Sequence, residues 1–555
     1  MDDDYKHDYA EIVKRCEVSR DRRREHDQWM RLWYTRGTDA AGPPAKYNRL
    51  EPHVDRLASF LYTPEGTRFF LHLPPEHRDE WLHTLEPARD EFMTVWRTSG
   101  ADMLFAHAVE WGLVKGCSIL KLSPGPNHAV EVDYVEPGSF GVLSEYIPDI
   151  ARQEAFVHWF VLTMGELERM VRDLPNKRDI LALADSMKIN EPPVGATYPK
   201  LIQQIIVTSV QAQQVSGFLP TLGMLEELRP ENDEPIVELA EVWVKEDYRV
   251  KRGSVTTTEF RDYEVTTMLG PEVLFQRRNP VFPWTPGGWE SECPFIPVTP
   301  RPVADYFWGK SEIQPLIQLQ QWREDRMADI DILLKKQLDP PRFFSGVTIG
   351  DDKLKALSGA GGYASTPLPG AKMDVLKPEM PENAFSTIRE IDRMFDESSG
   401  IPEILQGTNA EGVRAGSQAS TLAGIGAGRI RKRALITEDS LEVVATRMFH
   451  LMQRRDPTPY NTPKGRFLLS QLPPDIQMKV SAHTSSPVYQ EQVERKVAIL
   501  LKAGAITLPK LVELLDPPGA EALKVEAQLL QDAQSQFKQK VLEIQLQKAM
   551  RGRQR

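Results

Sequence analysis

The sequence predicts a multidomain α+β chain, and three observations predict it. Helical stretches are read across 4–34, 47–62 and 90–114, before alternating, strand-like stretches begin at Cys117. From Phe307 to Arg433 the order is a Phe-Trp-Gly-Lys-Ser turn, a long amphipathic helix, a short Gly/Pro-rich insert, a second helix, a glycine-bounded loop and a third helix. Helical periodicity returns over 521–550, a stretch without glycine.

The first helix, 4–34, is charged throughout. The second places Leu50, Val54, Leu57 and Leu61 on one side, and the third, 90–114, stops at Gly116. Residues 117–122 and 129–135 then alternate apolar with polar, as strands half-buried in a sheet do. Stretches 236–250 and 260–269 read as further strands, so 1–310 is an α+β body.

In 311–338 the residues Ile313, Leu316, Ile317, Met327, Ile330, Leu334 and Leu338 form one apolar stripe on a polar helix. Asp339-Pro340-Pro341 ends it, because proline lacks the next backbone donor and biases its predecessor away from helical dihedrals. A helix of that length is about 40 Å long and needs neighbours. The insert that follows has two strand-like pieces, Arg342-Phe343-Phe344 and Met373-Asp374-Val375-Leu376, separated by Gly359-Ala360-Gly361-Gly362, Pro367 and Pro369. The second helix, 382–398, aligns Phe385, Ile388, Ile391 and Phe395 and stops at Gly400. After the loop 400–416, small residues from Ser417 to Gly428 open a helix that continues to about Gln453.

Two sets of residues give this order a familiar form. One is Pro294-Phe295-Ile296-Pro297, Trp308-Gly309-Lys310-Ser311 and Leu316-Ile317-Gln318-Leu319-Gln320; the other is Ser399-Gly400-Ile401-Pro402 through Gly407, then Ala415-Gly416-Ser417-Gln418-Ala419. In this the chain resembles the portal proteins of tailed bacteriophages, the head-to-tail connectors, through motif order along most of its length. Residues 66–280 match only as helices followed by strands. The resemblance implies an α/β wing over 1–310, a stem helix over 311–338, a small α/β clip over 339–380 and a second stem helix over 381–399. A tunnel loop over 400–416, a long wing helix with a returning segment over 417–488, and a helical crown over 489–555 complete it.

The implied function is a ring, usually of twelve copies, at one capsid vertex, through which double-stranded viral DNA is packaged, retained and ejected. The implied partners are the terminase large subunit, head-completion and tail adaptor proteins, and the major capsid and scaffolding proteins. No cofactor and no membrane are implied, and the expected location is the virion, after assembly in the host cytoplasm. Facing the channel, the resemblance places Lys335, Lys336 and Arg414; Arg342, Phe343, Phe344 and Tyr363 of the clip are candidate docking contacts, or else are buried in a subunit-swapped clip sheet. The terminal helix over 521–550 belongs to the crown or packs on its own subunit.

Composition bounds these readings. The chain has 555 residues, 41% of them hydrophobic, enough for a substantial core and several domains. Mean hydropathy is −0.40, no apolar run approaches the roughly 20 residues of a membrane span, and the start shows no charged-then-apolar signal, so the expectation is a soluble, unexported protein. Cys16, Cys117 and Cys293 lie far apart, outside any CxxC pairing, which argues against a disulfide framework or zinc site and for assembly in a reducing compartment. With 68 basic and 79 acidic residues the formal net charge is −11, unusual for a protein that grips DNA and suited to one that lets it slide.

The remaining motifs argue against catalysis. Gly407-Thr-Asn-Ala-Glu-Gly412 has phosphate-loop spacing, but Val413-Arg414 stands where Lys-Ser/Thr is required. Gly424-Ile-Gly-Ala-Gly428 falls within a helix, not at a strand-to-helix turn, and reads as a packing face. His72, His77 and His83 lack the spacing of a helical metal pair, and no Ser/His/Asp or Cys/His set assembles. The densest basic run, Arg429, Arg431, Lys432 and Arg433, is either a solvated face paired with Glu438, Asp439 and Glu442 or the next subunit, or a DNA contact. The rivals to the channel reading are a DNA-processing packaging enzyme, nuclease or ATPase, and an internal virion or scaffold protein.

Overall fold

The computed structural model describes residues 8–35, 48–64, 67, 69–73, 81, 84–125, 130–189, 235–252, 255–285, 289–338, 340, 342–345, 372–375, 379, 381, 383–400, 416–455, 460–462 and 465–480. The chain divides into two units, Met1–Ala482 and His483–Arg555, and all described residues belong to the first. The expected crown, the loop carrying Arg414, and Tyr363 lie outside the described residues.

Helix α1, Tyr9–Tyr34, is opened by the Asp8 carboxylate, which accepts from Glu11 N. Its buried face, Cys16, Ser19, Arg20, Arg23, Asp27, Met30 and Tyr34, mixes apolar with charged residues. Each charge has a partner: Arg23 pairs with Asp27 at 2.8 Å and donates to Lys115 O, while Arg20 lies over the Trp159 ring. Helix α2, Leu50–Leu61, buries Leu50, Val54, Leu57 and Leu61 as its spacing predicts. Strand β1, Phe69–His72, follows.

The single helix expected over 90–114 is two, α3 (Leu85–Thr98) and α4 (Ala101–Lys115). Gly100, at φ 70°, takes a left-handed conformation that side chains disfavour and breaks the helix there. The apolar spacing hides the break, because Phe92, Trp96, Leu104 and Phe105 all enter the same core.

Strands β2 (Ser118–Pro124) and β3 (Val130–Val135) pair antiparallel, as expected. They are followed by β4 (Phe140–Val142), β5 (Ala155–Thr163), α5 (Met164–Met170), α6 (Lys177–Met187), β6 (Ile236–Arg252), β7 (Val255–Leu269), β8 (Glu272–Arg278) and β9 (Phe295–Val298). One antiparallel sheet has the order β4-β5-β6-β7-β8, and another has the order β3-β2-β9. Phe140, Phe156, Trp243, Phe295, Phe307 and Trp308 fill the space between the two sheets, with Phe156 and Trp243 stacked 5.9 Å apart.

Helix α7, Ile317–Leu338, carries the expected stripe, entered through a 3-10 turn at Gln314–Leu316. Residues 311–313 are not helical, so the rod is 22 residues and about 33 Å long. Strands β10 (Arg342–Ser345) and β11 (Lys372–Val375) pair antiparallel within the insert, and α8, Ala384–Ser399, returns against α7 before Gly400 closes it. Helix α9 runs over Gly416–Arg455, includes Gly424 to Gly428 and packs on α2 and β9. Strands β12 (Tyr460–Thr462), β13 (Gly465–Phe467) and β14 (Gln477–Val480) end the unit, β14 pairing with β1.

The stripe is buried only as far as Ile330. Ile313, Leu316, Ile317 and Ile330 are buried, whereas Leu334 and Leu338 are 40% and 85% exposed, and Phe385 of α8 is 55% exposed. The sequence spacing marks an apolar face correctly, but one chain supplies a neighbour for only part of it.

Candidate functional site

The helix, insert, helix hairpin springs from the turn that the sequence singled out. Phe307 N donates to Glu145 O at 2.8 Å, and the buried Trp308 donates from Nε1 to the Glu145 carboxylate at 3.1 Å. Gly309, at φ 65°, lies hard against Thr299 and Gly116 O, where a Cβ has no room. Lys310 N then donates to Arg301 O, Ser311 Oγ to Val114 O, and Glu312 N to Leu113 O. Trp-Gly-Lys-Ser is therefore a splice that fixes the segment leading into α7 to the end of α4.

A charge clamp holds the base of the hairpin. Arg49, just before α2, forks to Asp392 at 2.7 Å and Asp396 at 2.9 Å and lies over the Phe395 ring. Arg323 of α7 reaches the same Asp392 oxygen at 2.8 Å, so one carboxylate ties α7 to α8 and both to α2. His53 packs edge-on to Phe395, its pKa lowered to about 4 by burial, with Arg433, Arg56 and Arg49 adding to the shift. This clamp was not foreseen. Its only trace in the sequence is the i, i+4 spacing of Asp392 and Asp396 around Phe395.

The basic residues singled out from sequence fall into different places. Lys335 is exposed near the end of α7 and pairs with Asp331 at 2.8 Å, and Lys336 beside it is exposed. Arg431 and Lys432 are exposed on α9, and Arg429 lies on the same helix with its side chain outside the described residues. Arg433 must be corrected: it turns inward and pairs with the buried Glu312 at 2.9 Å, which withdraws it from any surface ligand. Glu442, one of the acidic residues expected beside this run, accepts from Lys479 at 2.6 Å and from Val480 N. Arg342, Phe343 and Phe344 sit on β10, in register with Val375, Asp374 and Met373 of the same chain.

All three cysteines are buried, and burial raises each thiol, Cys16 to about 12 and Cys117 and Cys293 to about 11. His72 lies on the exposed side of β1; His77 and His83 are outside the described residues. Among the described residues no group of three or more His, Cys, Asp or Glu is arranged to hold a metal ion, and no helix is long and apolar enough to cross a membrane.

No protein-family model matches the sequence, and no curated protein matches it. Among solved structures, the chain is similar to one in the virion of a native gene transfer agent particle, with a TM-score of 0.39 and 11% identity over 88% of this chain and 93% of that one. It is also similar to one in the neck of a native gene transfer agent particle computed with C12 symmetry, with a TM-score of 0.33 and 11% identity over 84% and 90% of the two chains. Overlaps of this size establish neither a common fold nor a common role.

Proposed function

We propose that this chain is a phage portal subunit, one of about twelve that close a ring at a capsid vertex and pass double-stranded DNA during packaging, retention and ejection. The observation that carries the reading is the hairpin. Two helices flank a small β insert, a third long helix follows, and the base is clamped by Arg49 while the outer apolar positions Ile332, Leu334, Leu338 and Phe385 stay exposed. Covering a large apolar side chain is worth about 1.5–3 kcal/mol, so a row of them on a rigid rod favours neighbours set side by side.

In that ring the α7–α8 pair is the stem and the β10–β11 insert the clip, where the terminase motor and later the head-completion and tail proteins dock. The net charge of −11 keeps the passing duplex from adhering, and Lys335, Lys336, Arg414, Arg429, Arg431 and Lys432 are the groups placed to steer it. The power stroke belongs to a separate ATPase, and the protein is a structural component of the virion.

Native mass spectrometry of the purified chain tests this directly. The expected species is a closed ring of about twelve 63.0 kDa copies, about 756 kDa in all, or a ring of neighbouring whole number. A chain that stays monomeric or dimeric across concentration and salt overturns it.

A further inference from the structure

Helix α2 carries two polar faces that point opposite ways. Arg49 and His53, four residues apart, share one face, and Glu51 and Asp55, also four apart, share another that is offset by two residues, or about 200° around the helix. The first face meets the base of the hairpin: Arg49 forks to Asp392 and Asp396 of α8, and His53 lies edge-on to Phe395. The second meets the body. Tyr34, closing α1, places its hydroxyl 3.2 Å from Asp55 Oδ1 and 2.8 Å from Glu110 Oε1 of α4. Because α2 is only 12 residues long, a tilt that changes its fit on one side is felt on the other.

A phenol has one proton to donate, and here two carboxylate oxygens face it. With both carboxylates ionised, one of those oxygens meets only lone pairs. With Glu110 protonated, Glu110 donates to Tyr34 and Tyr34 donates to Asp55, and both contacts are satisfied. The geometry therefore calls for one bound proton. Burial acts in the same direction, raising Glu110 to about 7, with Asp55 and Glu51 adding to the shift, and raising Asp55 and Glu51 as well. The Tyr34 hydrogen bond and the Arg56 guanidinium oppose the rise at Asp55. His107, one turn before Glu110 on α4, is lowered to about 3 by burial, with Lys115 adding to the shift. Asp55 is exposed, which opens the cluster to protons from solvent.

The opposite face has the reverse requirement. His53 Nε2 is buried and has no hydrogen-bond partner among the described residues. The guanidinium groups of Arg433, Arg56 and Arg49 act on the ring, Arg49 being engaged by Asp392 and Asp396 and Arg433 by Glu312. A second proton on His53 adds a cation among three others.

We propose that α2 is a proton-operated lever that couples the Tyr34–Glu110–Asp55 cluster to the base of the α7–α8 hairpin: a proton held between Glu110 and Tyr34 seats α2 on α4 and tightens the Arg49 clamp, and its loss loosens both. The coupling stands on contacts within one chain, whether or not copies close a ring. For Glu110 the seating is full below 4.5 and is lost as pH rises through about 7; for His53 it is full above 6.5 and is lost as pH falls toward 4. The two losses run in opposite directions, so the clamp is tightest at mildly acid pH, between them.

The test is hydrogen exchange of the full-length chain at pH 4, 6 and 8, corrected for intrinsic rates, at a concentration where native mass spectra show the same species throughout. Glu110→Gln stands for the protonated carboxyl, and Glu110 bonds to Tyr34, not to α8. At pH 8 the α8 amides of this variant are expected to exchange at least about tenfold more slowly than those of wild type, beyond any change in β5 and β6, and at pH 4 to exchange equally. Asp55→Asn is expected to slow α8 in the same direction by less. Arg49→Ala cuts the clamp and is expected to make α8 insensitive to Glu110→Gln, as linkage between two sites requires. At pH 4, His53→Phe is expected to slow α8 exchange relative to wild type. Slower exchange in α4 without a change in α8 makes the cluster a local titration and overturns the proposal. A change no larger in α8 than in β5 and β6 reduces it to general stability and overturns it equally, as does an advantage of Glu110→Gln that is the same at pH 4 and pH 8.

Discussion

Arg433 of α9 and Glu312, just ahead of α7, meet at 2.9 Å, with only 13% and 3% of their side chains exposed. Arg301 approaches the other Glu312 oxygen at 3.5 Å, so the carboxylate is shared between the body and α9. Removing one partner of such a pair leaves an uncompensated buried charge. Arg433→Ala is therefore expected to cost about 3 kcal/mol in urea unfolding, and Arg433→Ala combined with Glu312→Gln distinctly less than the sum of the singles. Arg431→Ala, two residues away on the exposed side of the helix, is expected to change stability by less than about 0.5 kcal/mol. Equal, small effects at 431 and 433 would return Arg433 to the surface set.

The Arg49 fork gives a prediction about geometry as well as charge. Lysine keeps the charge but reaches only one carboxylate at a time, so Arg49→Lys is expected to fail nearly as badly as Arg49→Ala. The groups are partly exposed and solvent screens them, so the expected loss is about 1–2 kcal/mol. Hydrogen exchange locates the effect: protection of α8 amides falls, while that of β5 and β6 stays. A loss spread evenly over the unit would mean that Arg49 supports the core in general and not the hairpin base.

How legible this was differs by element. Apolar periodicity placed α2, α7 and α8 with their faces correct, because the signal that drives burial is the signal that spacing records. It failed at Gly100, where one backbone angle breaks a helix that the side-chain pattern continues across. It also overstated burial at Leu334 and Leu338, because spacing reports that a face is apolar and not whether the same chain covers it. The buried arginines of α1 were illegible for a further reason: Arg20 and Arg23 look solvated in sequence, and besides their neighbours Asp21 and Asp27 they take partners far along the chain, Glu238 and Lys115 O. Of the site residues, Arg433 was misplaced by the same blindness, since its partner lies over a hundred positions away.

Acid–base behaviour turns on Glu110, whose carboxyl accepts from the Tyr34 hydroxyl at 2.8 Å. Burial raises its pKa to about 7, with Asp55 and Glu51 adding to the shift and the Tyr34 hydrogen bond opposing it. For an acid raised in the folded state, the stabilising contribution is full below the unfolded value of 4.5 and is lost as pH rises through about 7. Glutamine mimics the protonated form, so Glu110→Gln is expected to be more stable than wild type at pH 8, by up to roughly 3 kcal/mol, and equal to it near pH 4. His53, His107 and His158 act in the opposite direction. Desolvation lowers them to about 4, 3 and 4, so their contribution is full above the unfolded value of 6.5 and is lost as pH falls toward 4. Chemical denaturation across this range checks both signs, and an advantage of Glu110→Gln that is independent of pH would rule out ionisation as its cause.

The exposed row on the hairpin gives the most direct separation of folding from assembly. Leu338 and Phe385 are 85% and 55% exposed in the single chain, and replacing either with serine removes no internal packing of consequence. Subunit stability is therefore expected to hold within about 0.5 kcal/mol. If neighbouring hairpins bury these residues, each truncation removes about 1.5–3 kcal/mol per subunit contact, and a closed ring repeats that loss at every interface. Leu338→Ser/Phe385→Ser is accordingly expected to shift native mass spectra from rings to monomers while its circular dichroism and urea midpoint stay at wild-type values. Ile388→Ser, buried on α8, is expected to do the reverse and lower the urea midpoint first. Rings that persist in the double variant would place the subunit contacts elsewhere on the chain and leave the exposed stripe to the partners that dock at the insert.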